Sequence, residues 1–584
     1  MARAIGIAES RKQIAQLTAA INDSTRSKEN RDPAHQRVLL NKLDGLFRRG
    51  RPFIDLDGKP PLRNPTDEPL HPQDPKIVNV IRSLALYFGA LCMDLDNIQS
   101  PADPTVVYQH LLSYVPVVLQ WLDFVHPMNG NVKKDEEDVP MEHMTICYPI
   151  IIILTGLCTP QLYGGVEKMR EYLLSTHVLL YVTDLWTNLF RYAKRPSIAT
   201  AALTVKLLYK FAFDGFSGDK TSRIDIADDV AYAIRQRQQN RPRRMCRLIA
   251  RYAALFEGPA QEQAALELFR FASNLTSVPG LAPLSCPRSV IRALVTALQG
   301  YANNPHCGAP GLCLMYLAEI WTKSSNQKAL EWSLNDGVFL IFFRLLASQT
   351  GTILILDPTG KSLQDGFAFW RVLDAFERNN AHLIPELRRV APSHPAMANI
   401  LTAYDARIAV HRRAGEDWKA RKKRCSLEQL ASANYLYVQC TNASSTRRPR
   451  MRACACRGAW YCSAECQRAH WQEHRQQCLY ADGRQTTMRD VHFGAALAYE
   501  YLYNKQDLIT SEALALDPHR QHIIVLAIDL RPAMLQHRVV IGGPKNPSDT
   551  MWRGLVSTCW REGGMDRMEL IDGGFDLYSW DPYL

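Results

Sequence analysis

Seven of the fifteen cysteines fall between Cys425 and Cys478. From Cys440 onward the cluster comprises Cys440, Cys454, Cys456, Cys462, Cys466, His474 and Cys478, and its last four members have C-x3-C-x7-H-x3-C spacing. Thiolate and imidazole together are the ligand set for Zn2+, held tetrahedrally in structural sites. Most of this segment is polar and basic, with too few apolar residues to build a core. Cysteines elsewhere, such as Cys92, Cys147, Cys246, Cys313 and Cys559, have apolar neighbours and read as small buried hydrophobes. Residues four apart on a helix lie on neighbouring turns and can grip one ion. Cys466 and His474 are eight apart, which on a helix is a rise of about 12 Å. One ion cannot span that distance. Two ions, each held by one pair and completed by cysteines upstream, fit the spacing.

The run YCSAECQRAHWQEH, with Cys454 and Cys456 before it and Cys478 after it, resembles a MYND-type zinc finger. The resemblance covers Cys440 to Cys478, under a tenth of the chain. It implies a cross-braced pair of zinc ions. One would be held by Cys454, Cys456, His474 and Cys478, the other by Cys440, Cys462 and Cys466. Two positions depart from the family pattern. The second ligand pair is normally C-x2-C, and here a single residue, Ala455, separates Cys454 from Cys456. The first pair lacks a member: C-x2-C spacing from Cys440 leads to Ala443, which has no ligand atom, and the adjacent Ser444 offers only a hydroxyl. Cys425, His470, a water or nothing fills the fourth position, and His470, beside Trp471, reads as a surface residue rather than a ligand. Cys425 is 15 residues upstream of Cys440, and a loop of that length closes at modest entropic cost.

The resemblance also implies protein–protein binding, typically of short proline-containing peptides, in a shallow groove beside the helix with the later ligands. The matching residues are Gln467 and Trp471, with Ser463 nearby. An exposed indole offers a face for a proline ring, and a glutamine amide can hold peptide backbone. The competing reading is that Trp471 packs inward and staples its helix to the preceding loop.

The elements that must position this cluster are mainly helical. Residues 1–73 are polar, with helical patterns near Ser10 to Ile21 and His35 to Phe47, then seven prolines between Pro52 and Pro75 that mark a loop. Residues 74–424 read as a helical body. Apolar residues recur at three and four spacing in Ile77–Leu95, Val106–Val125, Val166–Leu189, Ala201–Phe213, Ala264–Ser273, Val290–Leu298, Leu312–Trp321 and Val338–Leu346. Gly165-Val166 and Gly337-Val338 open two of these helices with a shared G-V-x6-L-L pattern. That suggests an armadillo-like or HEAT-like array, against a non-repeating helical domain whose helices share a cap. A charged helix, about Met397 to Arg424 with Gly415 as its expected interruption, leads to the finger at 425–480. Residues 481–584 read as a small α+β tail: a helix over Val491–Tyr503 and strands over Ile523–Leu530, Arg538–Ile541 and Met568–Ile571. The fold class is therefore mainly α, with a two-zinc finger and an α+β tail.

Composition narrows the function. The chain has 584 residues, 47% hydrophobic and 22% charged, which excludes a disordered, collagenous or disulfide-miniprotein class. Charged residues interrupt the first stretch at Glu9, Arg11 and Lys12, unlike a secretory signal. The most apolar segment, Thr145 to Cys158, has 14 residues and contains Pro149, whereas a bilayer core needs about 20. An intracellular location, cytoplasmic or nuclear, follows as an expectation. The net charge is +11. His411 to Arg424 carries seven Lys/Arg, Arg447, Arg448, Arg450, Arg452 and Arg457 follow, and Arg235 to Arg251 holds seven arginines and no acid. These runs leave a nucleic-acid-associated regulator as the second reading, behind the simpler one in which they are a solvated linker helix, loop and helix face.

A third reading is an enzyme with its site in the tail. No Walker loop, G-x-S-x-G or H-E-x-x-H is present. Some MYND fingers sit inside SET-class lysine methyltransferases, but the cofactor motif and cysteine-rich post-domain of that class do not follow Cys478. The expectation is no catalysis. Incubation with S-adenosylmethionine and histone or peptide substrates should give no methyl transfer. Transfer that depends on residues of this chain would overturn that expectation.

Overall fold

The structure, a computed structural model, describes residues 7–26, 32–50, 52–63, 67–71, 74–91, 105–132, 176–192, 196–213, 228–238, 242–257, 259–278, 281–283, 286–303, 308–323, 327–347, 353–424, 452–453, 460–461, 463–477, 488–519, 522–544 and 555–559. It divides into two compact units, Met1–Leu281 and Ala282–Leu584. The helical body expected over 74–424 therefore spans both, while the finger and tail segments belong to the second.

The described part of the first unit is helical: α1 (Ile7–Arg26), α2 (Pro33–Gly50), α3 (Pro75–Leu91), α4 (Thr105–Val125), α5 (Thr176–Tyr192), α6 (Ile198–Phe213), α7 (Asp228–Gln238), α8 (Pro242–Leu255) and α9 (Glu262–Leu275). The expected helices over 1–73 are α1 and α2, and the proline-rich stretch after them is largely irregular where it is described. That stretch is pinned from several sides. Trp121 Nε1 donates to the carbonyls of Leu56 at 3.2 Å and Gly58 at 3.0 Å, and Arg11 Nε donates to the Pro52 carbonyl at 2.9 Å. A chain whose prolines lack N–H donors is held by its carbonyls. His126, fully buried and stacked on Tyr181, accepts from the Met128 N–H through Nδ1. Burial pushes its pKa down to about 4, so it stays neutral at physiological pH.

The second unit opens with α10 (Arg288–Ala302), α11 (Ala309–Lys323), α12 (Lys328–Asn335), α13 (Val338–Ala347), α14 (Ile353–Gly366), α15 (Trp370–Asn380), α16 (Ile384–Val390) and α17 (Pro395–Arg424). Its packing has a three-helix rhythm. α10 packs on α13, α11 on α14, α12 on α15 and α14 on α17. The starts of α11 and α14, of α12 and α15, and of α14 and α17 each lie roughly 40 residues apart, as in armadillo-type stacking, but those of α10 and α13 lie roughly 50 apart, so the repeat is not uniform. The shared G-V opening has a local cause. Gly337 has φ +93°, a left-handed conformation open to glycine, and it lets the chain pass from α12 to α13 in two residues. The other copy, Gly165-Val166, lies outside the described residues.

Gly415 does not interrupt α17. A Cβ there would stand 2.6 Å from Cη2 of Trp370, so the glycine permits close approach of the indole. Trp370 stacks on His411 of α17 at 3.8 Å, and Phe493 meets both rings edge-on. Phe493 belongs to α19 (Met488–Leu516), much longer than the helix expected over Val491–Tyr503. The same helix buries Asp490, which accepts from Arg371 Nη2 at 2.8 Å and Nε at 3.0 Å.

The tail sheet has strand order β4-β3-β5, from β3 (His522–Asp529), β4 (Gln536–Pro544) and β5 (Leu555–Cys559). β3 is antiparallel to β4 and parallel to β5. Leu526, Ile528 and Leu530 alternate onto the buried face. β5 was not expected from the sequence, and the expected strand over Met568–Ile571 lies outside the described residues. Arg407 of α17 has no exposed surface. It donates to the carbonyls of Leu530 at 2.9 Å, Ala533 at 3.3 Å and Pro532. Burial lowers its pKa to about 10, so it remains charged at neutral pH. Replacing Arg407 with Met strands these carbonyls in a dry site. Arg407→Met should destabilise the second unit by about 3 kcal/mol in urea unfolding. Unchanged stability would show that the guanidinium does not fasten the tail.

Candidate metal centre

The finger segment joins α17 to α19. Its described part begins with a two-stranded hairpin, β1 (Arg452–Ala453) and β2 (Trp460–Tyr461), paired Arg452 to Tyr461 and Ala453 to Trp460. β1 ends immediately before Cys454, and β2 ends immediately before Cys462. The hairpin was not read from the sequence, although the adjacent aromatics Trp460 and Tyr461 are strand formers.

Helix α18 (Ala464–Gln477) follows and packs against β2. Ser463 caps it: its Oγ accepts from the Cys466 N–H at 3.2 Å, and its carbonyl accepts from the Gln467 N–H at 3.2 Å. Glu465 stands in the first turn, where a carboxylate suits the helix dipole. Hydrogen bonds from its own backbone N–H and from Ser463 hold its carboxyl below the usual range. Its exposed ion pair with Arg468 is an ordinary surface contact.

The expected ligands divide as follows. The Cys466 side chain is described and half-buried on the first turn of α18. His474 lies on the same unbroken helix, with its side chain outside the described residues. Cys440, Cys454, Cys456, Cys462, Cys478 and the candidate Cys425 lie outside them altogether. Cys466 and His474 belong to one helix, about 12 Å apart along its axis. A single zinc ion, with bonds of about 2.0 to 2.3 Å, cannot take both. His470 is half-buried, four residues from Cys466 and four from His474. Ser463, Gln467 and Trp471 recur at the same spacing and are all half-buried.

A family model described as the MYND finger matches residues 438–478. The chain carries a MYND-type zinc finger. MYND fingers bind zinc and mediate protein–protein interaction. The matched segment starts just before Cys440 and ends on Cys478, so it contains all seven expected ligands and His470 but not Cys425. No curated protein and no solved structure matches the chain. No helix among the described residues is long and apolar enough to cross a membrane.

Proposed function

We propose that the protein is a non-catalytic adaptor whose MYND finger holds two zinc ions and binds short proline-containing peptides. One ion takes Cys454, Cys456, His474 and Cys478. The other takes Cys440, Cys462 and Cys466, with His470, Cys425, a water or nothing at its fourth position. The observation that carries the two-ion reading is the continuous helix between Cys466 and His474. His470 is favoured over Cys425 by two facts: it lies within the matched segment, and it sits one helical turn from Cys466.

The peptide would lie along the face of α18 bearing Ser463, Gln467 and Trp471. Four-residue spacing places these side chains on successive turns, each of them partly exposed, and an indole and an amide are the groups that suit a proline ring and peptide backbone. The catalytic reading has one feature to weigh. In the tail, Tyr501 Oη lies 2.7 Å from His537 Nδ1, and His537 Nε2 lies 3.0 Å from Glu512 Oε2. Burial, reinforced by Glu512, raises the Tyr501 pKa, the opposite of an activated phenolate. This chain instead ties β4 to α19.

The test is an array of short proline-containing peptides probed with the full chain. The wild type should bind a subset. Trp471→Ala should abolish that binding while zinc content and melting temperature stay near wild type. Zinc release by Trp471→Ala would make the indole structural. Failure of the wild type to bind any peptide would reject the proline-directed reading.

A further inference from the structure

The run Arg235 to Arg251 has no place in the finger's function, and the structure gives it a definite shape. Helix α8 buries Met245, Cys246, Leu248, Ile249, Tyr252 and Ala253. The residues it exposes are Arg243, Arg247, Arg251 and Ala254. Three arginines thus recur at four-residue spacing along one face, about 6 Å apart in rise. The helix contains no acidic residue. Of the neighbouring arginines, Arg237 pairs with the buried Asp184 at 3.7 Å, and Arg244 donates to Asn188 at 3.4 Å. Arg251 is held in place by the ring of Phe190, with its guanidinium carbon 4.2 Å from the centroid.

We infer that the exposed face of α8 binds the phosphate backbone of a nucleic acid, at a site separate from the finger. Charge complementarity requires an anionic partner, and the face itself discriminates between kinds of anion. A protein partner needs a desolvated apolar or aromatic centre to its interface. This face offers guanidinium groups and a single terminal alanine. A regular polyanion needs no such centre, because phosphate contacts supply affinity without sequence readout. Arginine suits this role better than lysine, since its planar fork pairs two donors with one phosphate. The run Arg235 to Arg251 contains no lysine.

The experiment is fluorescence anisotropy with the full chain and a labelled mixed-sequence single-stranded oligonucleotide of about 20 nucleotides. Titrations run from low to physiological salt. The wild type should bind, with affinity falling steeply as salt rises. The triple variant Arg243→Gln, Arg247→Gln, Arg251→Gln should bind about tenfold or more weakly at low salt, and its log–log salt slope should fall by about 2 to 3. The basic residues around the finger are unchanged in this variant, so a finger-borne site would leave affinity and slope intact. That result would overturn the inference, as would absence of wild-type binding at low salt. Equal displacement of the oligonucleotide by a poly-glutamate peptide of matched charge would also overturn it, in favour of an acidic protein partner. The corresponding triple Lys variant should keep most of the salt slope. Loss in both variants with a lowered melting temperature would assign the effect to folding and reject the site.

Discussion

Asp490 is a carboxylate whose side chain is only 1% exposed. An ionised carboxylate is stable in such a place only against a matched cation. Arg371 supplies two side-chain donors and its own backbone N–H. This pair fixes the start of α19 on α15, and the Trp370–His411–Phe493 cluster fixes the next turn against α17. Arg407 does the same for the β3–β4 turn. The chain therefore leaves the helical body at the end of α17 and returns to it at the start of α19. Residues 425–487 lie in sequence between these two helices of one packed unit.

Much of this architecture is legible in the sequence. The apolar spacing of Val290–Leu298, Leu312–Trp321 and Val338–Leu346 places helices that the structure extends by one to three residues at most ends. The three-helix period is not legible. It is carried by which helix packs on which, and only Gly337 leaves a repeated residue pattern that the structure explains. Gly415 misled in an instructive way. Glycine weakens a helix, but here the missing Cβ makes room for Trp370, a contact 45 residues away in the chain. β5 pairs in parallel with β3, which is not its neighbour in sequence, and no local pattern reports such a pairing.

In the finger the opposite holds. The ligand spacing and the helix with the later ligands are legible, because metal-ligand spacing is short-range chemistry; the cap at Ser463 was not read from the sequence. The fourth ligand of the first site does not follow, since Ala443 breaks the pattern and the substitute must be chosen by three-dimensional proximity. Too few apolar residues lie in the segment for hydrophobic burial alone to order it. On the proposed function, zinc binding supplies folding free energy to the segment, as in other small metal-dependent modules.

The central claim is therefore that two zinc ions organise the segment between α17 and α19. Elemental analysis of the purified full chain tests it most directly. The account predicts two zinc ions per chain, falling to about one when Cys466 is replaced by Ser. A chain that carries no zinc, while its finger amides stay protected from hydrogen exchange in strong chelator, would contradict the account.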